Sequence, residues 1–370
     1  MPTDFSRTLV VGISATALFD LAEADRLFEE LRTIDPDKAI DEYRRYMVEH
    51  EDEDLGPGTG FPLVSALLRL NSYQMDNEPP LVEVIVLSRN SPETGIRVLK
   101  AIRDLELRIT RSAFTGGESV ADYLDAFDVD LFLTTNPEDG QRVADTGQCS
   151  VGILRPPPQN MPAPPSDQVR IAFDGDAVLF SEESEIVNKT QGLAAFHEHE
   201  DRAKDTPLAD GPFATLLKKL ARLQERLPFR VEHSPVRIAI VTARNAPAEM
   251  RVIHTLRHWG VYVDEAFFLG GVEKTKVLQA FRPHIFFDDQ DVHLDRAASV
   301  VPSSKVPYKT NSKLGERTKI CPRCEQDLPL DEFHRRNASL DGRQGYCKKC
   351  NIERQYEPGG AAARDKPPNN

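Results

Sequence analysis

Long apolar runs are missing from this sequence of 370 residues. No stretch reaches the roughly 18 consecutive apolar residues that a membrane-spanning helix needs, so we expect no membrane span. Cysteine is also scarce, with five residues in all, four of them in two CxxC pairs near the C-terminus. This usage excludes the disulfide framework of a small secreted domain and favours metal binding in a reducing compartment. We therefore expect a cytoplasmic protein.

Charge is unevenly distributed along the chain, whose net charge is −13. Residues 303–357 contain more Lys and Arg than Asp and Glu, so the acidic excess lies in residues 1–302. An acidic body does not attract nucleic acid by itself. It is compatible with an enzyme that meets an anionic substrate through a metal ion.

The sequence repeats one ordered series of segments. VEVIVLSRNSPETGIRVLKAI (82–102) parallels VRIAIVTARNAPAEMRVIHTL (236–256), and DLFLTTN (130–136) parallels HIFFDDQ (284–290). Other segments, such as EHED, also recur in the same order and at similar spacings. This agreement predicts an internal duplication, with two copies of one domain.

Each copy alternates short β-branched runs such as VEVIVL with helical patterns such as AEMRVIHTLRHWG. The alternation predicts an α/β fold of two tandem Rossmann-like domains, each built from parallel βαβ units with right-handed crossovers. In such sheets the ligand lies at the carboxyl ends of the strands. Polar residues that follow apolar strands are therefore the candidates for a site.

The second copy contains side chains suited to phosphoryl transfer. Asp174 follows the apolar run VRIAF and could attack phosphorus to form an aspartyl-phosphate. Asp176, past a glycine, could protonate the leaving oxygen and then deprotonate water. Thr242 and Lys274 could donate hydrogen bonds to the phosphoryl oxygens.

Asp288 and Asp289 would complete a Mg²⁺ site with Asp174 and Asp176, because Mg²⁺ prefers oxygen ligands. A lone pair of aspartates two residues apart is more often a turn or a helix cap, and two consecutive aspartates before a loop are usually solvated. The ordered set, with each member at a strand end, favours an active site over these readings.

FDGDAVLF, VTAR, GG with Lys274, and FFDDQ resemble the four motifs of the haloacid dehalogenase superfamily. Together with EHE, PLADGP and RPHIFFDDQ, they resemble the cytosolic 5'-nucleotidase type I family over roughly residues 8–308. The resemblance implies a haloacid dehalogenase-type fold and Mg²⁺-dependent hydrolysis of nucleoside 5'-monophosphates, AMP and deoxynucleotides among them. It implies these roles: Asp174 nucleophile, Asp176 acid/base, Thr242 and Lys274 phosphate binders, Asp288 and Asp289 metal-site residues. The family usually has Gly after the lysine, but Thr275 and Lys276 follow here, so the sequence leaves open which lysine faces the phosphate.

FHEHED (196–201) suggests a metal site at His197 and His199. Residues two apart do not share a helix face, and EHED recurs in the other copy, so a structural or cap-closing role is favoured. Arg244 is a candidate contact to base or phosphate that the spacing does not select.

The first copy has lost the carboxylates of the second. Sequence alignment of the copies gives these pairs: Ser14 with Asp174, Thr16 with Asp176, Thr134 and Thr135 with Asp288 and Asp289, Val120 with Lys274, Arg89 with Arg244. Without an aspartate this copy can form no aspartyl-phosphate, so we expect a chemically inert pseudo-enzyme domain with a mainly structural role. The alternative is an effector-nucleotide site in which Ser14, Thr16 and Arg89 hold a phosphate without metal.

CPRC (321–324) and CKKC (347–350) are separated by 22 residues. This spacing predicts a tetrahedral Zn²⁺ site with four thiolate ligands, Cys321, Cys324, Cys347 and Cys350, in which the metal supplies the folding energy of a very small module. The pattern resembles four-cysteine modules found beside phage-type HNH endonucleases. Protein contact, nucleic-acid contact and plain stability all remain open as its role. A nucleic-acid-end phosphatase targeted by this module is the alternative function.

The predicted organisation can be stated by region. The regions are a degenerate domain at 1–153, a Pro-rich linker at 154–168, a catalytic domain at 169–310 with a small cap at about 182–235, a zinc module at 315–356 and a disordered tail at 357–370. The predicted partner is a nucleoside monophosphate substrate, and a homo-oligomer is left open.

Overall fold

The computed structural model describes residues 5–32, 34–159, 164–227, 234–315, 318–324, 326–329, 332–334 and 344–355. These residues form two compact units, one ending at Tyr308 and the other beginning at Lys309. The predicted tail at 357–370 lies outside the described residues. No helix in the described part of the chain is long and apolar enough to cross a membrane.

The first unit contains a ten-stranded sheet. Its strands read as continuous apolar runs, such as LVVGI and VRIAF, because side chains on both faces are buried. In chain order the strands are β1 (Leu9–Ile13), β2 (Val82–Ser88), β3 (Arg111–Phe114), β4 (Leu131–Thr134), β5 (Ser150–Leu154), β6 (Val169–Phe173), β7 (Val236–Thr242), β8 (Glu265–Phe268), β9 (Ile285–Asp288) and β10 (Ser303–Lys305).

The sheet order is β3-β2-β1-β4-β5-β10-β9-β6-β7-β8, and all neighbours are parallel except β5 and β10. Counted outward from this antiparallel pair, the two halves have the same strand order. A Cβ at Gly152 would overlap Ser304 Oγ, so glycine permits the close approach of β5 and β10. The α/β fold with a large, mostly parallel sheet confirms the predicted fold class. The internal duplication stays a prediction, with which the matching strand order agrees.

Helices cover the sheet and link its halves into one core. The helices are α1 (Ala15–Leu18), α2 (Ala22–Arg32), α3 (Pro36–Glu49), α4 (Phe61–Arg69), α5 (Gly95–Asp104), α6 (Pro137–Thr146), α7 (Glu183–Gln191), α8 (Leu193–Arg202), α9 (Ala214–Glu225), α10 (Glu249–Trp259), α11 (Thr275–Phe281) and α12 (Asp291–Ala297), with 3-10 helices at Leu70–Tyr73, Val120–Tyr123 and Asp125–Phe127. Helix α4 contacts β6 of the second half, whereas α9 contacts β1 of the first half. One hydrophobic core accordingly contains side chains from both halves, such as Leu63 and Leu217. The predicted bounds 1–153 and 169–310 thus divide one sheet and one core.

A half-buried ion pair also joins the halves. Lys219 Nζ on α9 lies 2.8 and 2.7 Å from the two carboxylate oxygens of Asp130, which precedes β4. Asp130 Oδ2 also accepts a hydrogen bond of 2.8 Å from Val10 N on β1. The contact holds α9, a helix of the second half, against the start of β4 in the first half.

The cap predicted at about 182–235 stays a prediction, and the described helices of this segment differ in their packing. Helices α7 and α8 pack against each other, but α9 lies in the shared core and therefore belongs to the sheet layer.

In the second unit, β11 (Thr318–Ile320) and β12 (Asp327–Pro329) form an antiparallel pair, and α13 (Lys348–Gln355) follows.

Candidate active site

Four of the predicted site residues meet at the carboxyl ends of neighbouring strands. Asp174 follows β6, Thr242 ends β7 and Asp288 ends β9. Lys274, just before α11, places its Nζ 2.9 Å from Asp174 Oδ1 and 2.7 Å from Asp288 Oδ2. Because these strands are parallel neighbours, residues far apart in the sequence converge at one edge of the sheet, as predicted.

The turn after β6 packs closely against the end of β7. A Cβ at Gly175 would lie 3.1 Å from Thr242 Oγ1, so glycine allows this approach. Thr242 Oγ1 accepts a hydrogen bond of 3.2 Å from Arg244 N. The threonine hydroxyl is therefore held beside the turn that contains both predicted catalytic aspartates.

The structure distinguishes the two candidate lysines. Lys274 is buried at the site, whereas Lys276 is exposed on α11. Burial opposes the charge of Lys274, but the carboxylates of Asp174 and Asp288 raise its pKa above the usual value. A charged ammonium group is thus maintained where a phosphoryl group would arrive.

Three carboxylates crowd around this single ammonium group. Burial, with the neighbouring Asp288 charge, raises the pKa of Asp174 to about 7 although Lys274 opposes the shift. Burial and the charges of Asp174 and Asp288 raise the pKa of Asp289 well above its usual value. For Asp288, Lys274 and His293 outweigh burial and lower the pKa. If all three carboxylates were ionised, their negative charge would exceed what Lys274 balances, and this repulsion contributes to the raised pKa values of Asp174 and Asp289.

Two buried oxygens at this site have no hydrogen-bond donor. Asp289 Oδ1 accepts no hydrogen bond, and Asp174 Oδ1 forms only the ion pair with Lys274, without hydrogen-bond geometry. Ligand atoms of Asp174, Asp288 and His293 lie within 4.8 Å of one another. A donor set dominated by carboxylate oxygens, with excess negative charge and unused acceptors, fits a Mg²⁺ ion.

Two further residues complete the surroundings of these carboxylates. His293 Nδ1 on α12 lies 3.2 Å from Asp288 Oδ2, and the Tyr308 hydroxyl donates to Asp289 Oδ2. Tyr308 also accepts a hydrogen bond of 2.8 Å at its carbonyl oxygen from Gln141 Nε2 on α6. Sequence reasoning missed both residues. His293 follows the FFDDQ motif closely enough to have been considered, but no pattern marks Tyr308.

Asp176 forms a two-point ion pair with an arginine. Arg244 Nε lies 2.8 Å from Asp176 Oδ2, and Arg244 Nη2 lies 2.6 Å from Asp176 Oδ1. Arg244 Nη1 donates to the buried Glu200 on α8. Asp176 was predicted as a metal ligand as well as acid/base; its side chain is not among the candidate ligands Asp174, Asp288 and His293, and its metal role stays a prediction.

The histidines of FHEHED bind protein groups. His197 Nε2 lies 3.1 Å from Asn245 Oδ1, and His199 Nδ1 lies 3.1 Å from Glu200 Oε1. The His197 contact ties α8 to the segment after β7, whereas the His199 contact lies within α8. Both agree with the structural role that the sequence favoured over a metal site.

Hydroxyl groups occupy the corresponding edge of the first half. Ser14 N donates to Leu133 O at 2.9 Å, and Asp174 N donates to Phe287 O at 2.8 Å in the same position of the second half. Thr16 Oγ1 lies 2.5 Å from Thr135 Oγ1 and 3.2 Å from Ser14 Oγ. These hydroxyls satisfy one another.

The predicted equivalence of Arg89 and Arg244 is wrong. Strand pairing aligns Ile13 with Val86 and Phe173 with Ile240, which places Ser88 at the position of Thr242. Arg89 therefore lies one residue before the position of Arg244. The two arginines also bind different partners: Arg89 donates to Asp139 Oδ2 and Oδ1 at 2.8 and 2.7 Å. Both segments contain the dipeptide Arg-Asn, but the pairing of the strands, and not this shared dipeptide, determines which residues of the two halves correspond.

The second unit contains a separate cluster. Ligand atoms of Cys321, Cys324, Cys347 and Cys350 lie within 4.8 Å of one another, and three of these side chains are buried. Cys347 N and Cys350 N point toward Cys321 Sγ and Cys347 Sγ, each at 3.4 Å. Four converging thiol groups are compatible with zinc.

Comparison with known proteins agrees with this site. The 5'-nucleotidase family profile matches residues 1–313. Over 318 residues, 84% of this chain, the sequence is 33% identical to human Cytosolic 5'-nucleotidase 1B. The aligned region covers 50% of that relative, so the chain spans about half of its length. Because the family match extends over most of the sequence, the chain belongs to the 5'-nucleotidase family.

Proposed function

We propose that this protein is a Mg²⁺-dependent phosphoric monoester hydrolase that acts on nucleoside 5'-monophosphates such as AMP and deoxynucleotides. The observation that carries the proposal is the buried ion pair of Lys274 with Asp174 and Asp288, at a strand edge with unused carboxylate oxygens. Family membership supports the reaction class. The name of the human relative supports the nucleotide substrate.

In the first proposed step, a carboxylate oxygen of Asp174 attacks phosphorus and the bond from phosphorus to the nucleoside 5'-oxygen breaks. Asp176 gives its proton to that oxygen, so the nucleoside leaves as an alcohol. Lys274 and the Thr242 hydroxyl bind the non-bridging phosphoryl oxygens. Their burial places these donors in a site where their electrostatic effect is large.

In the second step, Asp176 takes a proton from water while the water oxygen attacks phosphorus of the aspartyl-phosphate. The bond from phosphorus to the Asp174 oxygen breaks, phosphate leaves, and the carboxylate is regenerated. Asp176 therefore acts once as acid and once as base, and its proton is restored in each cycle.

Asp174 and Asp288, whose carboxylate oxygens lie close together beside His293, would hold the Mg²⁺ ion, and the adjacent Asp289 would complete the site. When bound, the ion would neutralise charge between these carboxylates and the phosphoryl oxygens. Lys274 bridges Asp174 and Asp288, and the Tyr308 hydroxyl donates a hydrogen bond to one oxygen of Asp289.

Phosphate release from a panel of nucleoside 5'-monophosphates and sugar phosphates tests the proposal. We expect turnover with nucleotides in Mg²⁺ and its loss in EDTA, with recovery when Mg²⁺ is restored. Faster turnover of sugar phosphates, or undiminished turnover in EDTA, would contradict the substrate or the metal.

For the second unit we propose a structural Zn²⁺ ion held by Cys321, Cys324, Cys347 and Cys350. Purified protein should contain about one zinc per chain by elemental analysis, and Cys321→Ser with Cys347→Ser should lose it.

Because the cluster lies in a basic segment, targeting to nucleic-acid ends is the second candidate function. It requires salt-sensitive polynucleotide binding that disappears on deletion of residues 315–370.

We further propose a cytoplasmic location, which the reduced-cysteine pattern and the name of the human relative support. Cell fractionation that places the protein with a secreted or membrane fraction would contradict it.

A further inference from the structure

Arg244 is the centre of a buried chain of charges. Its guanidinium group binds both carboxylate oxygens of Asp176 on one side and Glu200 on the other. Its side chain is only 1% exposed. A buried two-point contact restricts the orientation of the bound carboxylate more than a single ion pair does.

Glu200 connects this arginine to the helix pair α7–α8. It lies on α8 with its side chain 0% exposed, and Arg251 Nη1 on α10 lies 2.9 Å from its Oε1. Ser184 Oγ on α7 donates to the same oxygen at 2.8 Å. Burial opposes the charge of Glu200, but Arg244 and Ser184 lower its pKa, so the carboxylate is ionised. A buried carboxylate with this many partners fixes α8 on the sheet layer.

The first half provides an internal comparison. Asn90 has the position of Arg244: Gly116 N donates to Asn90 O at 3.0 Å, as Gly270 N donates to Arg244 O at 3.3 Å. Asn90 cannot form an ion pair, and it accepts a hydrogen bond from Tyr43 at 3.1 Å.

The glutamate of the repeated EHED segment also changes partner. Glu51 has the position of Glu200 in EHED, and Lys100 Nζ lies 2.9 Å from it on the half-exposed surface. The chain of buried charges thus occurs in the half that has Asp176 and is replaced in the half that has Thr16 at that position.

We propose that Arg244 is a positioning residue for the acid/base carboxylate of Asp176, and that Glu200 orients Arg244 from α8. The packing of α7–α8 on the sheet layer then determines how the Asp176 carboxylate is oriented toward the leaving oxygen. Each of the three guanidinium nitrogens of Arg244 contacts a carboxylate, which favours a role in holding the catalytic acid over a role in binding phosphate. The inference rests on the proposed nucleotidase function.

The test compares two leaving groups in one nucleotide. A nucleoside 5'-monophosphate releases an alcohol and needs an acid, whereas its analogue with sulfur at the bridging position releases a thiolate and needs far less protonation. Loss of the acid therefore slows the oxygen ester selectively. General acid catalysis contributes about 10²–10⁴-fold, which sets the scale expected for Asp176→Asn with the oxygen ester.

Glu200→Gln removes the charge and keeps the shape. We expect kcat for the oxygen ester to fall about tenfold, and kcat for the sulfur ester to stay within about twofold, because the nucleophile and phosphate binders are untouched. Arg244→Lys, which lacks the two-point contact, should give the same selective loss. Glu51→Gln at the repeated position is the matched control and should alter neither rate.

An equal loss with both esters would overturn the proposal, because it indicates general damage to the site. Unchanged rates with both esters in Glu200→Gln and Arg244→Lys would overturn it as well. The sulfur ester also reports folding of each variant. Absence of nucleotide turnover in the wild-type protein would refute the proposed function itself, which separates the two failures.

Discussion

At the carboxyl end of β1 three hydroxyl groups satisfy one another, whereas at the carboxyl end of β6 three carboxylates crowd around one lysine. The backbone around both sites is alike, down to the hydrogen bond from Ser14 N or Asp174 N to the neighbouring strand. The fold therefore accommodates either set of side chains, and chemistry depends on a few positions at the strand ends.

The two sets of side chains differ in the free energy that their burial costs the folded protein. Neutral hydroxyls in mutual contact leave little unsatisfied polarity in the first half. The second half buries repelling carboxylates, whose raised pKa values report that cost. A bound cation such as Mg²⁺ would supply the positive charge that this second site lacks, whereas the hydroxyls of the first site already satisfy one another.

Nucleophile removal should give the largest difference between the halves. Asp174→Asn should reduce nucleotide turnover on the order of 10³-fold or more, because an amide cannot form the aspartyl-phosphate. Ser14→Ala, at the corresponding position, should stay within about twofold. Steady-state phosphate release measures both. Activity that survives in Asp174→Asn would mean that the chemistry lies elsewhere, the first half included.

The next largest effect is expected at the carboxylates proposed to bind Mg²⁺. Tyr308→Phe removes the hydroxyl that donates to Asp289, and loss of such an outer contact typically weakens metal binding about 10–100-fold. We expect a rise of at least about tenfold in the Mg²⁺ concentration that gives half-maximal turnover, with little change in kcat at saturating Mg²⁺.

Gln141→Ala is the control from the first half, since Gln141 donates to the backbone carbonyl of Tyr308 and leaves the tyrosine hydroxyl in place. It should shift the Mg²⁺ dependence less than Tyr308→Phe does. An unchanged Mg²⁺ dependence in Tyr308→Phe would show that the hydroxyl does not support the metal site.

Much of this site could be predicted because strand ends converge by topology. Asp174, Thr242, Lys274 and Asp288 meet for that reason, and the motif order marked them. Arg244 with Glu200 could not be paired from sequence, because their contact depends on how α8 docks. The error at Arg89 has the same origin: identical letters suggested equivalence, but strand register determines which backbone positions correspond. Likewise, no local pattern indicates that α4 of the first half contacts β6 of the second half, or that α9 of the second half contacts β1 of the first half.

Stability should distinguish the shared core from two separate domains. Lys219→Met removes the cation that binds the half-buried carboxylate of Asp130, which keeps its hydrogen bond from Val10 N, and should cost about 1 kcal/mol of unfolding free energy. Arg222→Met removes an exposed cation of the same helix and should cost less than about 0.5 kcal/mol. Urea unfolding of the full chain measures both.

Fluorescence of Trp259, the single tryptophan, reports the second half, and far-UV circular dichroism reports both halves. Because the halves share one core, the two signals should change together as one transition. Early loss of circular dichroism with unchanged Trp259 fluorescence would indicate that the first half unfolds independently.

The smallest effect is expected at Arg89. Its guanidinium group is occupied by Asp139, which also accepts a hydrogen bond from Ser119 at 3.0 Å, so the arginine supports the start of α6. Arg89→Ala should leave basal nucleotide turnover within about twofold, because no catalytic group contacts Arg89 in the described structure.

The effector alternative requires more: a nucleotide must stimulate the wild-type enzyme, and Arg89→Ala must abolish that stimulation while basal turnover persists. Since Ser14, Thr16 and Thr135 already bond to one another and Arg89 to Asp139, a phosphate would have to displace these contacts. We therefore expect no stimulation that depends on Arg89, and a clear one would turn the first half from a structural partner into a regulatory site.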